Sequence, residues 1–191
     1  NAFARHRAST LHDFHANHAW PYFDTFNLHH YNPVGDYPRI YAAFREVSAG
    51  RPLWVSECNF PVNWSGDQRF AEPSEADSRV QAERVAKVYA CSFHEGSSAV
   101  FYFILGHYVE THRQFGILRP DLSPRPAFLA MAAVGRFLAD AKPLGKLKTD
   151  ASIAAYAFRA NPDGQERLVL VAWANQSDAK LTLPLAFPRR F

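Results

Sequence analysis

Apolar and polar positions alternate along the first part of the chain in a way that predicts strands and helices in turn. Residues 24–30 and residues 52–57 (PLWVSE) are short runs rich in β-branched and aromatic side chains, which is typical of strands. Between them, residues 37–48 carry apolar side chains at i, i+4 and i+7 from Ile40, the spacing of one helical face. The pattern therefore predicts a strand, a helix and a second strand.

The same alternation continues beyond the second strand. Ser78 and Gln81 have the spacing of a capping box, which predicts a helix that begins there and ends near residue 94. Residues 99–105 (AVFYFIL) are apolar at every position, which is typical of a strand buried on both faces in a parallel sheet. A last helix is predicted to begin at Pro126. This order predicts an α/β fold with a parallel sheet and right-handed crossovers.

The pattern changes in the last part of the chain. Residues 152–160 and 166–175 are apolar runs separated by the turn sequence NPDG, which predicts an antiparallel hairpin. The segment KLTLPL (180–185) predicts a third strand beside it. We therefore expect an α/β domain over residues 1–145 and an all-β domain over residues 146–191.

Composition excludes several classes of protein. Of the 191 residues, 48% are hydrophobic and 20% are charged, which excludes a disordered chain and a coiled coil. The net charge is +3 and the basic residues are scattered, so we expect no nucleic-acid partner. No apolar run approaches the ~18–20 residues of a membrane span, so we expect no membrane partner. The glycines are isolated, so the sequence contains no phosphate-binding loop.

Glu57 is the strongest candidate for chemistry. It ends an apolar strand, and strand alternation would place it on one face with Leu53 and Val55. A carboxylate at such a position is costly unless it is paired or used. In α/β barrels the active site forms at the carboxyl ends of the strands, so we expect Glu57 to act there. The alternative is a strand-end glutamate in a structural ion pair.

Two further candidates end the previous strand. His29 and Tyr31 are two residues apart, so both side chains are expected on the same side, whereas His30 should point the other way. A tyrosine hydroxyl beside a carboxylate can keep that carboxylate ionised and oriented. The alternative is that these are ordinary residues at the end of a strand.

Two loop residues are candidates for contact with a polar substrate. Glu110 follows the third strand and could accept hydrogen bonds from hydroxyl groups. Trp64 follows Glu57 and could stack on the C–H face of a sugar. The alternatives are a solvated loop charge for Glu110 and a packing role for Trp64. A helical stretch with Leu11 and Phe14 is predicted before the first strand. It carries a histidine at every third position, which favours a solvated helix face over a metal site; these are His12, His15 and His18.

These motifs together resemble the carboxyl-terminal part of a clan-A retaining glycoside hydrolase, most similar to the β-xylosidase and α-L-iduronidase type. The resemblance covers residues 10–147 and rests on His29-His-Tyr31, on Trp54-Val-Ser-Glu57 and on the segment from Val100 to Glu110. It implies strands six to eight of a (β/α)8 TIM barrel, followed by the start of an antiparallel β-sandwich. It also implies a carbohydrate substrate and no metal or organic cofactor.

The resemblance assigns roles to individual residues. Glu57 would be the nucleophile, while His29, Tyr31 and Glu110 would line the sugar subsite. Phe103 stands where the family usually has a tryptophan, so one stacking wall of the subsite is altered.

One catalytic group of the family is absent from the sequence. The family's acid/base is the glutamate of an Asn-Glu pair that ends strand four, and the sequence contains no such pair. A (β/α)8 barrel typically takes ~250 residues. We therefore expect an incomplete chain, inactive alone, whose partner is a missing amino-terminal barrel segment. The alternatives are a non-catalytic carbohydrate-binding or scaffold protein derived from such a barrel, and a metal-dependent barrel hydrolase that uses the histidines.

Overall fold

The computed structural model describes residues 10–63, 72–176 and 178–183. The helices are α1, described over residues 10–16, α2 (Tyr37–Ser48), α3 (Glu75–His94) and α4 (Pro126–Phe137). The strands are β1 (Phe26–His30), β2 (Leu53–Cys58), β3 (Val62–Asn63), β4 (Ser97–Tyr102), β5 (Val109–Glu110), β6 (Arg113–Gln114), β7 (Lys142–Lys146), β8 (Ile153–Ala160) and β9 (Arg167–Ala174). The chain is a mixed α/β protein, as the alternating pattern predicts.

A parallel sheet in the order β1-β2-β4 forms the first part of the molecule. Helix α2 connects β1 to β2, and helix α3 lies between β2 and β4 in the chain, which confirms the predicted order of elements. One face of the sheet packs on these helices, and it contributes Leu28 and Val55 to the hydrophobic core. Because Leu28, Leu53 and Val55 are buried on this face, it fixes which side of each strand points away from the helices.

The other face of the sheet is open in the described chain. Trp54 and Phe101 lie on it with ring centroids 6.4 Å apart, and they are 42% and 53% exposed. The prediction that the third strand is buried on both faces is therefore wrong for the described residues. The strand also ends at Tyr102 rather than at residue 105. Exposed apolar side chains grouped in this way are typical of a surface that contacts another segment or another protein.

Local sequence sets the helix ends. Helix α2 has the predicted bounds, and the chain leaves it through Ala49 and Gly50, both in the left-handed conformation. Helix α3 begins earlier than predicted, because Ser74 is its N-cap and accepts a hydrogen bond from the backbone N–H of Asp77. The predicted capping box at Ser78 and Gln81 is therefore wrong. Ser74 and Asp77 have the same spacing one turn earlier, and Ser74 is the residue that caps the helix.

An antiparallel sheet in the order β7-β8-β9 forms the second part. The hairpin of β8 and β9 confirms the prediction from the two apolar runs. The predicted third strand at residues 180–185 is wrong over 180–183, which are irregular; the other two residues lie outside the described residues. The third strand is instead β7, whose proline and glycine conceal it in the sequence. Tyr156 and Phe158 of β8 belong to the same core as the helices.

A third, small sheet in the order β3-β6-β5 lies in the segments that follow β2 and β4. Gly116 permits the close approach of the two chain segments beside it, because a Cβ atom there would collide with the backbone carbonyl of Gly106. In the described part of the chain, none of the helices has the length and apolarity needed to traverse a lipid bilayer.

Candidate functional site

Three of the predicted site residues meet at the carboxyl ends of β1 and β2. The Tyr31 hydroxyl donates a hydrogen bond to Glu57 Oε1. The Nδ1 atom of His29 lies 3.9 Å from the same carboxylate oxygen, and its Nε2 atom lies 2.8 Å from Ser56 Oγ. We call Glu57, Tyr31 and His29 the carboxylate cluster. One carboxylate oxygen is thus oriented by the Tyr31 hydroxyl, and the His29 imidazole lies near the same oxygen without a hydrogen bond to it.

An irregularity in β2 turns the Glu57 side chain towards Tyr31 and His29. The pairing of β2 with β4 shifts register between Val55 and Cys58, and both of those side chains are fully buried although they are three residues apart. Such a bulge redirects the side chains inside it. Ser56 and Glu57 therefore both lie away from the core, and the prediction that Glu57 shares a face with Leu53 and Val55 is wrong.

Two buried side chains next to the cluster, His30 and Cys58, have pKa values shifted in favour of their neutral forms. Burial lowers the pKa of His30 to about 4, and its Nε2 atom lies 3.1 Å from the Tyr41 hydroxyl in the core. Burial raises the pKa of the Cys58 thiol to about 12, with the adjacent Glu57 as a second cause. His30 thus points away from the site as predicted, and Cys58 is a protonated thiol rather than a nucleophile.

An aromatic wall stands beside the cluster. The Tyr31 ring meets Phe103 and Phe115 edge to face, with centroids 6.3 and 5.7 Å apart. Tyr108 packs on Phe103 with centroids 5.4 Å apart. These rings fix the Tyr31 side chain, because edge-to-face pairs prefer this geometry. The structure therefore places the predicted residue Phe103 against Tyr31, whereas Phe115 and Tyr108 were not predicted.

Asn59 is a third residue that the sequence did not indicate. Its side chain is fully buried; Nδ2 donates to the backbone carbonyls of Phe103 and Phe115, and Oδ1 accepts from the Tyr102 hydroxyl. Its backbone N–H donates to the His30 carbonyl at 3.3 Å. Asn59 thus connects the ends of β1, β2 and β4 immediately behind the carboxylate cluster. In the sequence it resembles the first residue of a polar loop, so no signal distinguished it.

The remaining predicted site residues are not part of the carboxylate cluster as described. Glu110 is exposed on β5, opposite Arg113 of β6, and no hydrogen bond or ion pair between described residues joins it to Glu57. Trp64 lies outside the described residues. The roles of both residues therefore stay predictions.

Two of the three predicted helix histidines, His12 and His15, lie on α1, whereas the prediction is wrong for His18, which follows the helix in a turn with φ 48°. His12 Nδ1 lies 3.4 Å from Asp13, and the His15 ring packs against Trp20 with centroids 4.5 Å apart. Within residues 10–63, 72–176 and 178–183, no three or more histidine, cysteine, aspartate or glutamate side chains are grouped closely enough to hold a metal ion.

Comparisons with known proteins give a likeness in fold. No protein-family model matches the chain, and no curated protein matches it. A solved structure of a family 39 glycoside hydrolase from the gut symbiont Bacteroides cellulosilyticus WH2 superimposes with a TM-score of 0.59 at 20% sequence identity. The match covers 87% of this chain and 37% of that one, so the chain corresponds to a part of the neighbour's length. At this identity the likeness concerns the fold.

Proposed function

We propose that the chain forms the nucleophile-bearing part of a retaining glycoside hydrolase, with Glu57 as the nucleophile. The observation that carries the proposal is the hydrogen bond from the Tyr31 hydroxyl to the Glu57 carboxylate, at the carboxyl ends of adjacent parallel strands. The fold similarity to a family 39 glycoside hydrolase supports a glycosidase-like class. A carbohydrate is the substrate class that this likeness suggests.

The proposed reaction has two steps. Glu57 attacks the anomeric carbon while the bond from that carbon to the leaving-group oxygen breaks, and the leaving oxygen takes a proton from the acid/base, which gives a covalent glycosyl-enzyme intermediate. Water then attacks the anomeric carbon and gives a proton to the same acid/base, so the sugar leaves and the Glu57 carboxylate is restored. Tyr31 orients the attacking oxygen through its hydrogen bond, because a fixed donor leaves one carboxylate lone pair directed at the substrate. We propose that His29, Glu110 and Trp64 contact sugar hydroxyls or faces, and that Phe103 forms part of the subsite wall.

The proposed architecture accounts for the open sheet face. Strands β1, β2 and β4 would be strands six to eight of a (β/α)8 barrel, and Trp54 and Phe101 would then point into the barrel, which the other strands would fill. The antiparallel sheet that starts with β7 at Lys142 would belong to a β-sandwich. A retaining enzyme needs a second carboxyl group about 5–5.5 Å from the nucleophile. In this proposal that acid/base comes from the other barrel strands.

The experiment that tests the proposal is the substitution Glu57→Gln in the protein that carries this chain. We expect hydrolysis of aryl glycosides to fall by on the order of 10³-fold or more, because the nucleophile is lost. Glu83→Gln is the matched control, since Glu83 is an exposed glutamate whose contact is an ion pair with Lys87 on α3. Azide added to Glu57→Ala should restore turnover by replacing the missing nucleophile. Unchanged kcat in Glu57→Gln refutes the proposal.

A non-catalytic carbohydrate-binding function is the second candidate. Among the described residues, Glu57 is the one carboxylate with a contact in the carboxylate cluster. A cluster with one carboxylate can bind sugar hydroxyls without cleaving a glycosidic bond. This alternative predicts sugar binding without hydrolysis, even for an aryl glycoside whose leaving group needs no acid.

A further inference from the structure

A buried arginine, Arg125, begins a chain of polar contacts that leads to the carboxylate cluster. It directly precedes α4, and its side chain is 1% exposed. Its Nη2 atom donates to Glu72 Oε1 at 3.1 Å, and its Nε atom donates to the Leu118 carbonyl at 3.2 Å. Burial lowers the pKa of the Arg125 guanidinium, and Glu72 acts in the opposite direction. A buried cation thus joins the segment before α3 to the segment before α4.

The same guanidinium reaches the β5–β6 hairpin through His107. Arg125 Nη2 lies 3.3 Å from His107 Nδ1, and Gln114 Nε2 lies 3.3 Å from the same nitrogen. Because a guanidinium can only donate, Nδ1 is the acceptor. The backbone N–H of Gly116 donates to Gln114 Oε1 at 2.7 Å, which leaves the amide N–H groups of the buried Gln114 to donate to His107. His107 therefore accepts from both sides and connects the arginine to β6.

Gln114 leads directly to the ring that packs on Tyr31. Phe115 follows it in the chain, and its backbone N–H donates to the Tyr108 carbonyl at 3.0 Å. The Phe115 ring meets the Tyr31 ring edge to face with centroids 5.7 Å apart, and the Tyr31 hydroxyl donates to Glu57. Because the Tyr31 ring rests on Phe115, the position of Phe115 sets the direction in which the hydroxyl donates.

We propose that Arg125 is a positioning residue that holds the Tyr31 hydroxyl against Glu57. It acts through His107, Gln114 and Phe115, which we call the relay. The effect on catalysis rests on the proposed function, whereas the link from Arg125 to the Tyr31 side chain does not.

The buried charge of Arg125 suits a geometric role. A buried ion pair contributes little net stability, because the loss of solvation offsets the attraction between its charges. A guanidinium does fix geometry, since it donates in a planar fork with set directions. Its acceptors here come from three separate segments and are the Leu118 carbonyl, Glu72 and His107. A lysine would keep the charge, but its one nitrogen could not hold all three in place.

The first test observes the Tyr31 side chain directly and needs no substrate. Tyr31 is replaced by 3-fluorotyrosine in the protein that carries this chain, and the ¹⁹F NMR resonance is compared between variants. Arg125→Lys should shift or broaden the resonance by more than its linewidth. His107→Leu should do the same while keeping the pair of Arg125 with Glu72, so it tests the link even if Arg125→Lys does not fold.

Arg119→Gln is the matched control. Arg119 Nε donates to the other oxygen of Glu72 at 3.1 Å, and no hydrogen bond between described residues joins Arg119 to His107. This variant removes one partner of Glu72 and leaves the relay intact. We therefore expect the resonance of the fluorinated tyrosine to stay in place.

The second test is steady-state kinetics with an aryl glycoside. Arg125→Lys should lower kcat about tenfold and change KM by less than about twofold, because the nucleophile loses its orientation. Combined with Tyr31→Phe, the same change should lower kcat by less than about twofold, since no hydroxyl is left to position. His107→Asn should recover most of the activity that His107→Leu loses, because an amide oxygen can accept in place of Nδ1.

Each measurement can overturn the inference. An unchanged ¹⁹F resonance in Arg125→Lys, an equal change in Arg119→Gln, or the same fold loss in kcat with and without Tyr31→Phe would contradict the positioning role. The proposed function fails separately. If Glu57→Gln keeps its kcat while Arg125→Lys still moves the resonance, the function is refuted and the link from Arg125 to Tyr31 stands.

Discussion

We expect removal of the Asn59 side chain, which lies behind the carboxylate cluster, to lower the free energy of unfolding. The change Asn59→Ala deletes two hydrogen bonds that Nδ2 donates to backbone carbonyls and one that Oδ1 accepts from Tyr102. The Tyr102 hydroxyl and the Phe115 carbonyl would lose their hydrogen bonds to Asn59 while they stay buried. An unsatisfied buried polar group costs about 1–3 kcal/mol. Allowing for relaxation and for water entering the space, we expect a loss of about 3 kcal/mol in the free energy of unfolding.

A loss of that size is measurable by urea denaturation. With a slope of about 2 kcal/mol per molar urea, the midpoint should fall by about 1.5 M. Asn63→Ala is the matched control, since Asn63 is an exposed asparagine close in sequence, and it should change the free energy of unfolding by about 0.5 kcal/mol or less. Asn59→Asp should be at least as damaging as Asn59→Ala, because its carboxylate would face two carbonyl oxygens.

The reasoning about Asn59 fails in a defined case. If Asn59→Ala lowers the free energy of unfolding by less than 1 kcal/mol, or no more than Asn63→Ala does, then Asn59 does not connect the strand ends as described. An intact urea midpoint combined with lost activity would place Asn59 in substrate contact instead.

Three further predictions follow from named contacts. Tyr31→Phe should lower kcat about 10- to 100-fold with little change in KM, because it removes a charge-assisted hydrogen bond, and Tyr22→Phe, at an exposed tyrosine, should not; steady-state kinetics decides. The pKa of His30 is lowered from 6.5 to about 4 in the folded state, so the unfolded chain takes up the proton first as the pH falls. The free energy of unfolding should therefore decrease as the pH drops from 6.5 to 4. In urea titrations, His30→Gln should reduce this decrease by up to about 1.4 kcal/mol per pH unit. Residues 1–191 alone should self-associate through the open sheet face, and replacing Trp54 and Phe101 by serine should reduce that association in sedimentation velocity. A monomeric wild-type chain with a cooperative melt would contradict the proposed architecture.

Periodic patterns predicted the helices and strands that carry the carboxylate cluster. The apolar residues of α2 have the spacing of one helical face, and β8 and β9 are apolar runs on either side of a turn sequence. Both elements formed as predicted. His29 and Tyr31 were expected on one side of their strand, and both reach Glu57 in the structure. Parallel strands bring their carboxyl ends to one edge, so residues at those ends meet whatever the length of the helix between them.

Features that depend on partners distant in sequence were not predictable. The bulge that turns Glu57 away from the core arises from the pairing of β2 with β4, and a strand taken alone shows strict alternation. The role of Asn59 depends on carbonyls more than 40 residues away. Strand β7 was missed because Pro143 and Gly145 argue against a strand, although an edge strand tolerates both.

Covalent trapping tests the central claim most directly. A 2-deoxy-2-fluoro glycosyl fluoride has a leaving group that needs no acid catalyst, so it can label the nucleophile even where the acid/base is absent. We predict that incubation with a panel of such reagents, xylosyl first, adds the mass of one fluorosugar, and that peptide mapping places it on Glu57. Glu57→Gln should take up none. An adduct on a different residue, or an adduct that persists in Glu57→Gln, would contradict the assignment of Glu57 as the nucleophile.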